Sequence, residues 1–319
     1  FFPRIDIAGE KTGITGMEFP LLNYLIYLVS EVFGYQHWYG RLINLIFSSF
    51  GLWFFYKLIR KYFSLKTAFN ATIILTVSIW FQFSRKIMPD TFSMSLIITC
   101  LYYGSNYLES KNKEKQFLHL LWYSILLIFG TLSKIPSAYI LIIFAIFLFK
   151  KRVSIRKKIF FSTITLLSFI PIILWYYFWI PQLVGKYGFS HFFMGKNFSQ
   201  GYHEIIQNIP QTLKRFYDSA LKYIGFLTFL FGLGIAVYKK EMKIIISFLL
   251  TFIVFLIFIF KAGYNFPLHN YYIIPFVPII SLIAGYGLTN IKVDNNTVIP
   301  YDTLLKLEER IDIQLFRLN

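Results

Sequence analysis

The sequence is poor in charged residues and contains almost no cysteine. Only 15% of its 319 residues are Asp, Glu, Lys or Arg, whereas a soluble domain carries about 25%. The single cysteine, Cys100, excludes an internal disulfide and a cysteine-based metal cluster. Hydrophobic residues make up 56% of the chain, which excludes both a soluble globular protein and a disordered one. The composition therefore indicates a polytopic membrane protein.

Acidic residues are scarce as well, with 15 Asp and Glu against 32 Lys and Arg. The basic residues form short clusters between apolar runs, where the positive-inside rule places them, so we expect membrane lipids and no nucleic acid as partners. The clusters lie at 57–66, 111–115, 150–158 and 239–243. The alternate short connections carry only Arg85, Lys86, Lys134 and Lys261. This asymmetry predicts that the clusters are cytoplasmic.

Ten apolar runs divide the chain. They cover residues 20–34, 38–56, 67–84, 90–108, 117–133, 135–150, 158–180, 222–238, 243–261 and 269–290. The first run is too short to cross a bilayer, and the alternation of basic connections leaves no crossing for it, so we interpret it as an interfacial helix. The remaining runs predict an all-α polytopic membrane protein with about nine transmembrane helices. Lys134-Ile135-Pro136 is predicted to be a tight turn between two of them.

This pattern divides the chain into three parts. Residues 1–37 form an extracytoplasmic loop with the interfacial helix, residues 38–290 a transmembrane bundle with an outer loop at 181–221, and residues 291–319 a short cytoplasmic tail. No run places an ionisable residue clearly at its middle, and no inverted repeat is visible. Both features are unlike those of most transporters.

The candidate functional residues are charges at the predicted outer ends of the runs. Asp6 and Glu18 flank a glycine-rich stretch that leads into the interfacial helix; a carboxylate held there could act as a general base, although an ordinary solvated loop would look the same. Lys134 lies in the turn between two very apolar runs, and cations gathered at this face would suit a lipid phosphate. Asp90 is explained most simply as a helix cap that pairs with Arg85.

The last apolar run opens with His269-Asn270-Tyr271-Tyr272. A lone histidine is most often structural, and an aromatic pair at a membrane interface is usual. No spacing of His, Cys and carboxylates marks a metal site, so we expect neither a metal nor another cofactor.

Five segments occur in an order that is typical of one family. They are Asp6 with Gly16-Met17-Glu18-Phe19-Pro20-Leu21, Gly40-Arg41-Leu42, Arg85 with Met88-Pro89-Asp90-Thr91, Leu132-Ser133-Lys134-Ile135-Pro136, and His269-Asn270-Tyr271-Tyr272-Ile273-Ile274-Pro275. In this order they resemble the integral-membrane glycosyltransferases of the GT-C superfamily. The resemblance is to the glycosyltransferase family 39 type, which includes protein O-mannosyltransferases and lipid A aminoarabinose transferases, and it covers about residues 1–290.

The resemblance implies a GT-C type helical bundle in the bacterial cytoplasmic membrane, with its active site facing outward. It implies a polyprenyl-phosphate-linked sugar donor, inversion at the anomeric centre, and an acceptor that is a glycan, a lipid or a protein. It also implies a transmembrane helix ahead of the outer loop. Because the chain opens at Phe1-Phe2 without an initiator methionine, we expect that helix to precede it in a longer protein.

Roles for single residues also follow from the resemblance. Asp6 falls at the catalytic aspartate, and Glu18 at the acidic residue before the Pro-Leu step. The resemblance assigns binding of the donor phosphate to Arg85, Lys134 and His269, although Ile135 interrupts the Lys-Pro pattern. Supporting positions fall at Asp90, Tyr271 and Tyr272.

Two other classes of function remain open. A flippase or another transporter of lipid-linked saccharides would occupy a similar bundle, and the lack of mid-membrane charges counts against it. A polymerase or ligase of lipid-linked glycans would be expected to have large, Arg-rich outer loops, whereas 181–221 contains few basic residues. The main hypothesis is therefore an inverting glycosyltransferase.

Overall fold

A computed structural model of the chain describes residues 3–4, 12–150, 152–188, 190 and 195–291. Within these ranges the chain is helical, with two isolated β-bridges and no β-strand, which confirms the predicted all-α class. The bridges join Arg4 to Ile14 and Gly16 to Ser190. Asp6 and the predicted tail beyond Ile291 lie outside the described residues.

The helices follow the predicted apolar runs closely. The α-helices are α1 (Leu21–Phe33), α2 (Tyr39–Tyr62), α3 (Leu65–Val77), α4 (Ile79–Phe83), α5 (Pro89–Glu109), α6 (Lys113–Ser133), α7 (Ala145–Phe149), α8 (Ile155–Ser168), α9 (Ile170–Ile173), α10 (Ile180–Tyr187), α11 (Phe198–Gln207), α12 (Ile209–Lys214), α13 (Lys222–Tyr238), α14 (Met242–Ala262), α15 (Asn265–Leu268) and α16 (Val277–Thr289). 3₁₀-helices cover Ile135–Phe144 and Asn270–Phe276, and π-helical turns cover Leu174–Trp179 and Arg215–Ala220.

Fewer helices than predicted are long and apolar enough to cross a membrane. Over the described ranges there are five: Tyr39–Tyr62, Lys113–Ser133, Ile155–Tyr187, Met242–Ala262 and Asn270–Thr289. A sixth arises if Ile209–Ala220 and Lys222–Tyr238, bent by 92°, form one span. The predicted count of nine spans is therefore not confirmed.

One predicted span, 67–84, is interrupted by local chemistry, and one predicted turn is confirmed. The backbone of Ser78 is extended, and its hydroxyl accepts a hydrogen bond from the amide of Trp80, which ends α3 and starts α4. The backbone of Lys134 is also extended and is followed by Pro136, so the predicted turn lies where α6 gives way to the 3₁₀-helix.

Helix α5 lies inside the bundle, and small residues allow its neighbours to approach. Ser95 packs against Gly51 of α2, where an added Cβ would overlap the serine side chain. On another face, the hydroxyl of Ser93 donates a 2.7 Å hydrogen bond to the carbonyl of Gly130 on α6. Close packing of this kind stabilises helix pairs where apolar burial alone gives little driving force. It also fixes the first turn of α5, which carries Asp90.

The loop that precedes α5 is anchored to α2 by a buried amide. The side-chain nitrogen of Asn44 lies 3.1, 2.7 and 3.3 Å from the carbonyl oxygens of Phe83, Lys86 and Met88. Its amide oxygen accepts a hydrogen bond from the hydroxyl of Thr91. Asn44 has no exposed surface, so these bonds satisfy a polar group that would otherwise be costly to bury.

Candidate active site

A cavity of about 870 Å³ lies where the segment before α1, the start of α5, the end of α6 and the segment after α15 meet. Its polar lining residues include Glu18, Asp90, Lys134, Lys261, His269, Tyr271 and Tyr272. Its apolar lining residues include Ile135, Tyr139, Val254, Ile257 and Phe258. The cavity therefore combines charged and apolar side chains, as a site for an amphipathic ligand would.

Lys134 is the central charge of this cavity. Its ammonium nitrogen lies 3.0 Å from a carboxylate oxygen of Glu18 and 3.9 Å from one of Asp90, and 5.6 Å from the ring centroid of Tyr271. Burial alone would lower the pKa of Lys134, but the charges of Asp90 and Glu18 more than offset this, and the net shift is upward. Lys134 is therefore a permanent cation at neutral pH.

Glu18 is held beside Lys134 because the residues before and after it in the chain are hydrogen-bonded to other elements. The amide of Phe19 donates to the carbonyl of Leu132 at the end of α6, at 3.1 Å. The indole of Trp175 donates to the carbonyl of Met17 and packs edge-on against the ring of Phe19. These contacts fix the segment from Met17 to Phe19 on both sides of the carboxylate.

Asp90 occupies the first turn of α5 behind Pro89, and its side chain is 3% exposed. Its expected partner was Arg85, but the carboxylate pairs with Lys134 instead. The other carboxylate oxygen is buried and has no hydrogen-bond partner among the described residues. A buried acceptor of this kind is costly unless a ligand or water satisfies it. Asp90 therefore offers the cavity an acceptor as well as a charge.

His269 enters the cavity from a short turn that Arg215 holds. The guanidinium of Arg215 donates hydrogen bonds to the carbonyl of Pro267 through both Nε and Nη2. The imidazole of His269 stacks on Tyr271 and Tyr272, with ring centroids 5.1 and 5.9 Å away. Burial, and then the charges of Arg215 and Lys134, lower the pKa of His269. The imidazole is therefore neutral at pH 7 and offers one N–H donor.

Lys261 lies at the end of α14 and is tied to the neighbouring segment. Its ammonium donates to the carbonyl of Lys196, and the amide of Lys196 donates to the carbonyl of Lys261, at 2.9 and 2.8 Å. The ammonium of Lys196 in turn lies 2.5 and 2.6 Å from the two carboxylate oxygens of Glu204, which also accepts the amide of Tyr264. Hydrogen bonds, first from Lys196 and then from Tyr264, hold the pKa of Glu204 below its usual range. These contacts fasten the segment before α11 to the rim of the cavity.

Six of the eight candidate residues from the sequence thus line one cavity, namely Glu18, Asp90, Lys134, His269, Tyr271 and Tyr272. Asp6 lies outside the described residues. Arg85 lines a different cavity with Trp38, Arg41 and Gln82. Asn44 was not predicted from the sequence, although a polar residue inside an apolar run is the signal that could have revealed it. Over the ranges that the structure describes, no group of three or more His, Cys, Asp or Glu could hold a metal ion.

Comparison with known proteins gives a family match and a shared fold. Residues 18–175, about half of the chain, match the family described as dolichyl-phosphate-mannose-protein mannosyltransferase. The fold matches that of ArnT from Cupriavidus metallidurans in the apo state, with a TM-score of 0.53 over 88% of this chain. The family match and the shared fold together support a place in the GT-C superfamily. With its candidate spans, the chain is an integral membrane protein.

The second structural match is ArnT from the same organism bound to undecaprenyl phosphate, with a TM-score of 0.52 and again 88% of this chain covered. Sequence identity to the two ArnT structures is 11% and 12%, so the likeness shows the fold alone. The matches cover 50% and 51% of the ArnT chains, so this chain spans about half of their length. No curated protein sequence matches it.

Proposed function

We propose that this chain forms part of an inverting glycosyltransferase that moves a sugar from a polyprenyl-phosphate donor to an acceptor hydroxyl. One observation carries the proposal: the Lys134 ammonium, flanked by Glu18 and Asp90, lies in a cavity that is also lined by apolar side chains. A polyprenyl-phosphate sugar has the matching chemistry, with a hydrocarbon chain, a phosphate and a hydroxyl-rich ring. The undecaprenyl phosphate bound by ArnT, which shares the fold, supports this class of donor.

The cationic groups of the cavity suit a phosphate leaving group. One hydrogen of the Lys134 ammonium points to Glu18, which leaves two others for phosphate oxygens. The two carboxylates of Glu18 and Asp90 carry more negative charge than the single ammonium of Lys134 can neutralise. We therefore assign further phosphate contacts to Lys261 and to the N–H of His269, which line the same cavity. Cations placed where negative charge develops lower the barrier for departure of the phosphate.

The reaction then needs one displacement and one proton acceptor. The acceptor oxygen forms a bond to the anomeric carbon while the bond from that carbon to the phosphate oxygen breaks, so the configuration inverts and no covalent enzyme intermediate forms. The hydroxyl proton passes to a carboxylate, and the phosphate leaves as the anion. By resemblance this base is Asp6. Glu18 is the alternative, since it lines the cavity.

We also propose that the cavity faces the outside of the bacterial cytoplasmic membrane. At the far end of α5, Glu109 pairs with Lys61 and Lys150 at 2.9 and 3.0 Å, and Lys157 binds the carbonyl of Ser110. Two of the basic clusters, 57–66 and 150–158, therefore meet at the end of α5 opposite Asp90, as the positive-inside rule requires for a cytoplasmic end. The proposed parts of the chain are the outer catalytic segment 1–37, the bundle 38–290 with outer loop 181–221, and the cytoplasmic tail 291–319.

The test is glycosyl transfer by the full-length protein in membranes. Labelled polyprenyl-phosphate sugars are supplied with a cell-envelope extract, and both free polyprenyl phosphate and transferred label are measured. We expect turnover in the wild type, a loss of about 10²-fold or more for Asp6→Asn, and a loss of similar size for Lys134→Met. Glu31→Gln, which changes an exposed carboxylate on α1 outside the cavity lining, is the matched control and should retain turnover.

The outcomes separate the parts of this proposal. Turnover that survives Asp6→Asn but not Glu18→Gln would assign the base to Glu18. Donor binding without turnover in the wild type, for every donor tried, would reject the transferase and favour a flippase or another transporter of lipid-linked saccharides.

A further inference from the structure

A second cavity of about 560 Å³ lies on the other side of the loop that precedes α5. Its lining residues are Trp38, Arg41, Leu42, Leu45, Gln82, Arg85 and Lys86. The same loop contributes Ile87 and Met88 to the candidate active site, so it lies between the two cavities. The second cavity is thus a distinct place in the fold.

The charge of the second cavity is of one sign. Arg41, Arg85 and Lys86 line it, no carboxylate does, and none of the three cations takes part in an ion pair within the described part of the chain. Like charges held close together repel one another, and an anion between them removes that cost. The lining therefore favours an anionic ligand.

Two of these cations, Arg85 and Lys86, are exposed but are positioned by contacts with neighbouring groups. The Nε of Arg85 donates to the carbonyl of Phe81 at 3.2 Å, and its guanidinium carbon lies 4.0 Å from the centroid of the Phe81 ring. The Lys86 ammonium lies 4.3 Å from the ring centroid of Phe83. Because Nε of Arg85 is occupied, its two terminal nitrogens remain for the paired hydrogen bonds that guanidinium forms with phosphate.

An apolar stripe leads away from these cations along α2. Leu42, Leu45, Ile46, Phe50 and Trp53 are each between 41% and 58% exposed. Counted from Leu42 they fall at positions i, i+3, i+4, i+8 and i+11, which share one face of a helix, and α2 is among the candidate membrane spans. A hydrocarbon chain can lie along this face while the group attached to it reaches the cations.

We propose that the second cavity binds the phosphate of an anionic membrane lipid, with Arg41, Arg85 and Lys86 around the headgroup and an acyl chain along the exposed face of α2. This site is separate from the donor cavity, and the proposal does not depend on glycosyl transfer. The stripe favours a lipid over free phosphate, because it lets one molecule place a phosphate beside the cations and a hydrocarbon chain along the same helix.

The test uses the full-length protein in detergent, with bound lipid counted by native mass spectrometry. Phosphatidylglycerol, phosphatidylcholine and inorganic phosphate are titrated separately. We expect the double variant Arg41→Gln/Arg85→Gln to weaken binding of phosphatidylglycerol at one site by about tenfold or more, since each arginine loses charge-assisted hydrogen bonds. The matched control is Lys111→Gln/Lys113→Gln, two exposed lysines at the other end of α5, and it should bind as the wild type does.

Further arms make the result decisive. The variant Arg41→Lys/Arg85→Lys should retain most of the binding, and Leu45→Asp, which keeps the cations but adds a carboxylate to the lining, should weaken it. The lysine variant and Leu45→Asp each test the proposal even if the glutamine variant fails to fold. Equal affinity for phosphatidylcholine, or phosphatidylglycerol binding that no variant changes, would overturn the proposal. Binding of inorganic phosphate that Arg41→Gln/Arg85→Gln abolishes, with no lipid bound at that site, would identify a free-anion site and reject the lipid.

Discussion

The ammonium of Lys134 lies 3.0 Å from a carboxylate oxygen of Glu18, although 116 positions separate the two residues in the sequence. Asp90 contributes a second carboxylate 3.9 Å from the same nitrogen. The pairing fastens the segment before α1 to the turn after α6, next to the first turn of α5. One cation therefore connects three parts of the chain and sets the electrostatics of the cavity.

Replacing Lys134 with methionine should destabilise the protein strongly. The change leaves Asp90 buried beside Glu18 with no cation between them, and breaking a buried ion pair in this way costs about 3–5 kcal/mol. Thermal unfolding in detergent measures the loss. Asp90→Asn in the same chain should recover part of the lost stability, because it removes the unpaired charge. A double variant no more stable than Lys134→Met would contradict a charge-pairing role.

The ion pairs of Lys134 should persist to high pH. The folded-state pKa of Lys134 is raised, so its contribution is fully present below the unfolded-state pKa of about 10.4 and is lost as pH rises through the higher folded value. The stability difference between wild type and Lys134→Met should therefore stay constant from pH 7 to 9. It should shrink only above about pH 10.4. A difference that already shrinks by pH 9 would mean that the folded-state pKa is not raised.

Glu204→Gln should loosen the segment between Lys196 and Glu204 without unfolding the bundle. The variant loses the carboxylate charge that pairs with the ammonium of Lys196 and strengthens the hydrogen bond from the amide of Tyr264. Amide hydrogen exchange in this segment should become severalfold faster, while exchange in α5 stays unchanged. Glu114→Gln, an exposed carboxylate at the start of α6, is the control. Because the pKa of Glu204 is lowered in the folded state, acid should loosen the wild-type segment only as pH falls below about 4.3.

Asn44→Ala should destabilise the loop before α5. It removes hydrogen bonds to the carbonyls of Phe83, Lys86 and Met88, and buried acceptors left without donors cost about 1–3 kcal/mol each. A lower unfolding temperature and faster hydrogen exchange in α4 and the first turn of α5 are expected. Ser49→Ala, which removes a hydroxyl bonded only to its own helix, should change neither measurement by much. Similar effects of the two variants would show that Asn44 does not anchor the loop.

Much of the fold could be predicted from the sequence, because apolar runs and their breaks are local signals. The predicted turn at Lys134-Ile135-Pro136 separates α6 from the 3₁₀-helix, and the predicted interfacial run appears as α1. The number of spans could not be predicted. Local hydropathy does not show that Ser95 meets Gly51, or that α5 is packed among other helices rather than against lipid.

The site could be predicted only in part. The order of short motifs predicted Glu18, Lys134 and His269 as site residues, and all three line one cavity. Nothing in the sequence indicates that Asp90 turns to Lys134 while Arg85 turns away. The two side chains point into different cavities because the loop before α5 and the first turn of α5 are fixed by tertiary packing, including the hydrogen bonds from Asn44 of α2.

The loop before α5 borders two cavities at once. The backbone of this loop is held by Asn44. A ligand that shifts the loop from one cavity therefore also changes the lining of the other. Thermodynamic reciprocity then applies: if a headgroup beside Arg85 alters the affinity for a donor beside Asp90 by some factor, the donor alters the affinity for the headgroup by the same factor. Lipid composition would in that case modulate substrate binding without entering the active site.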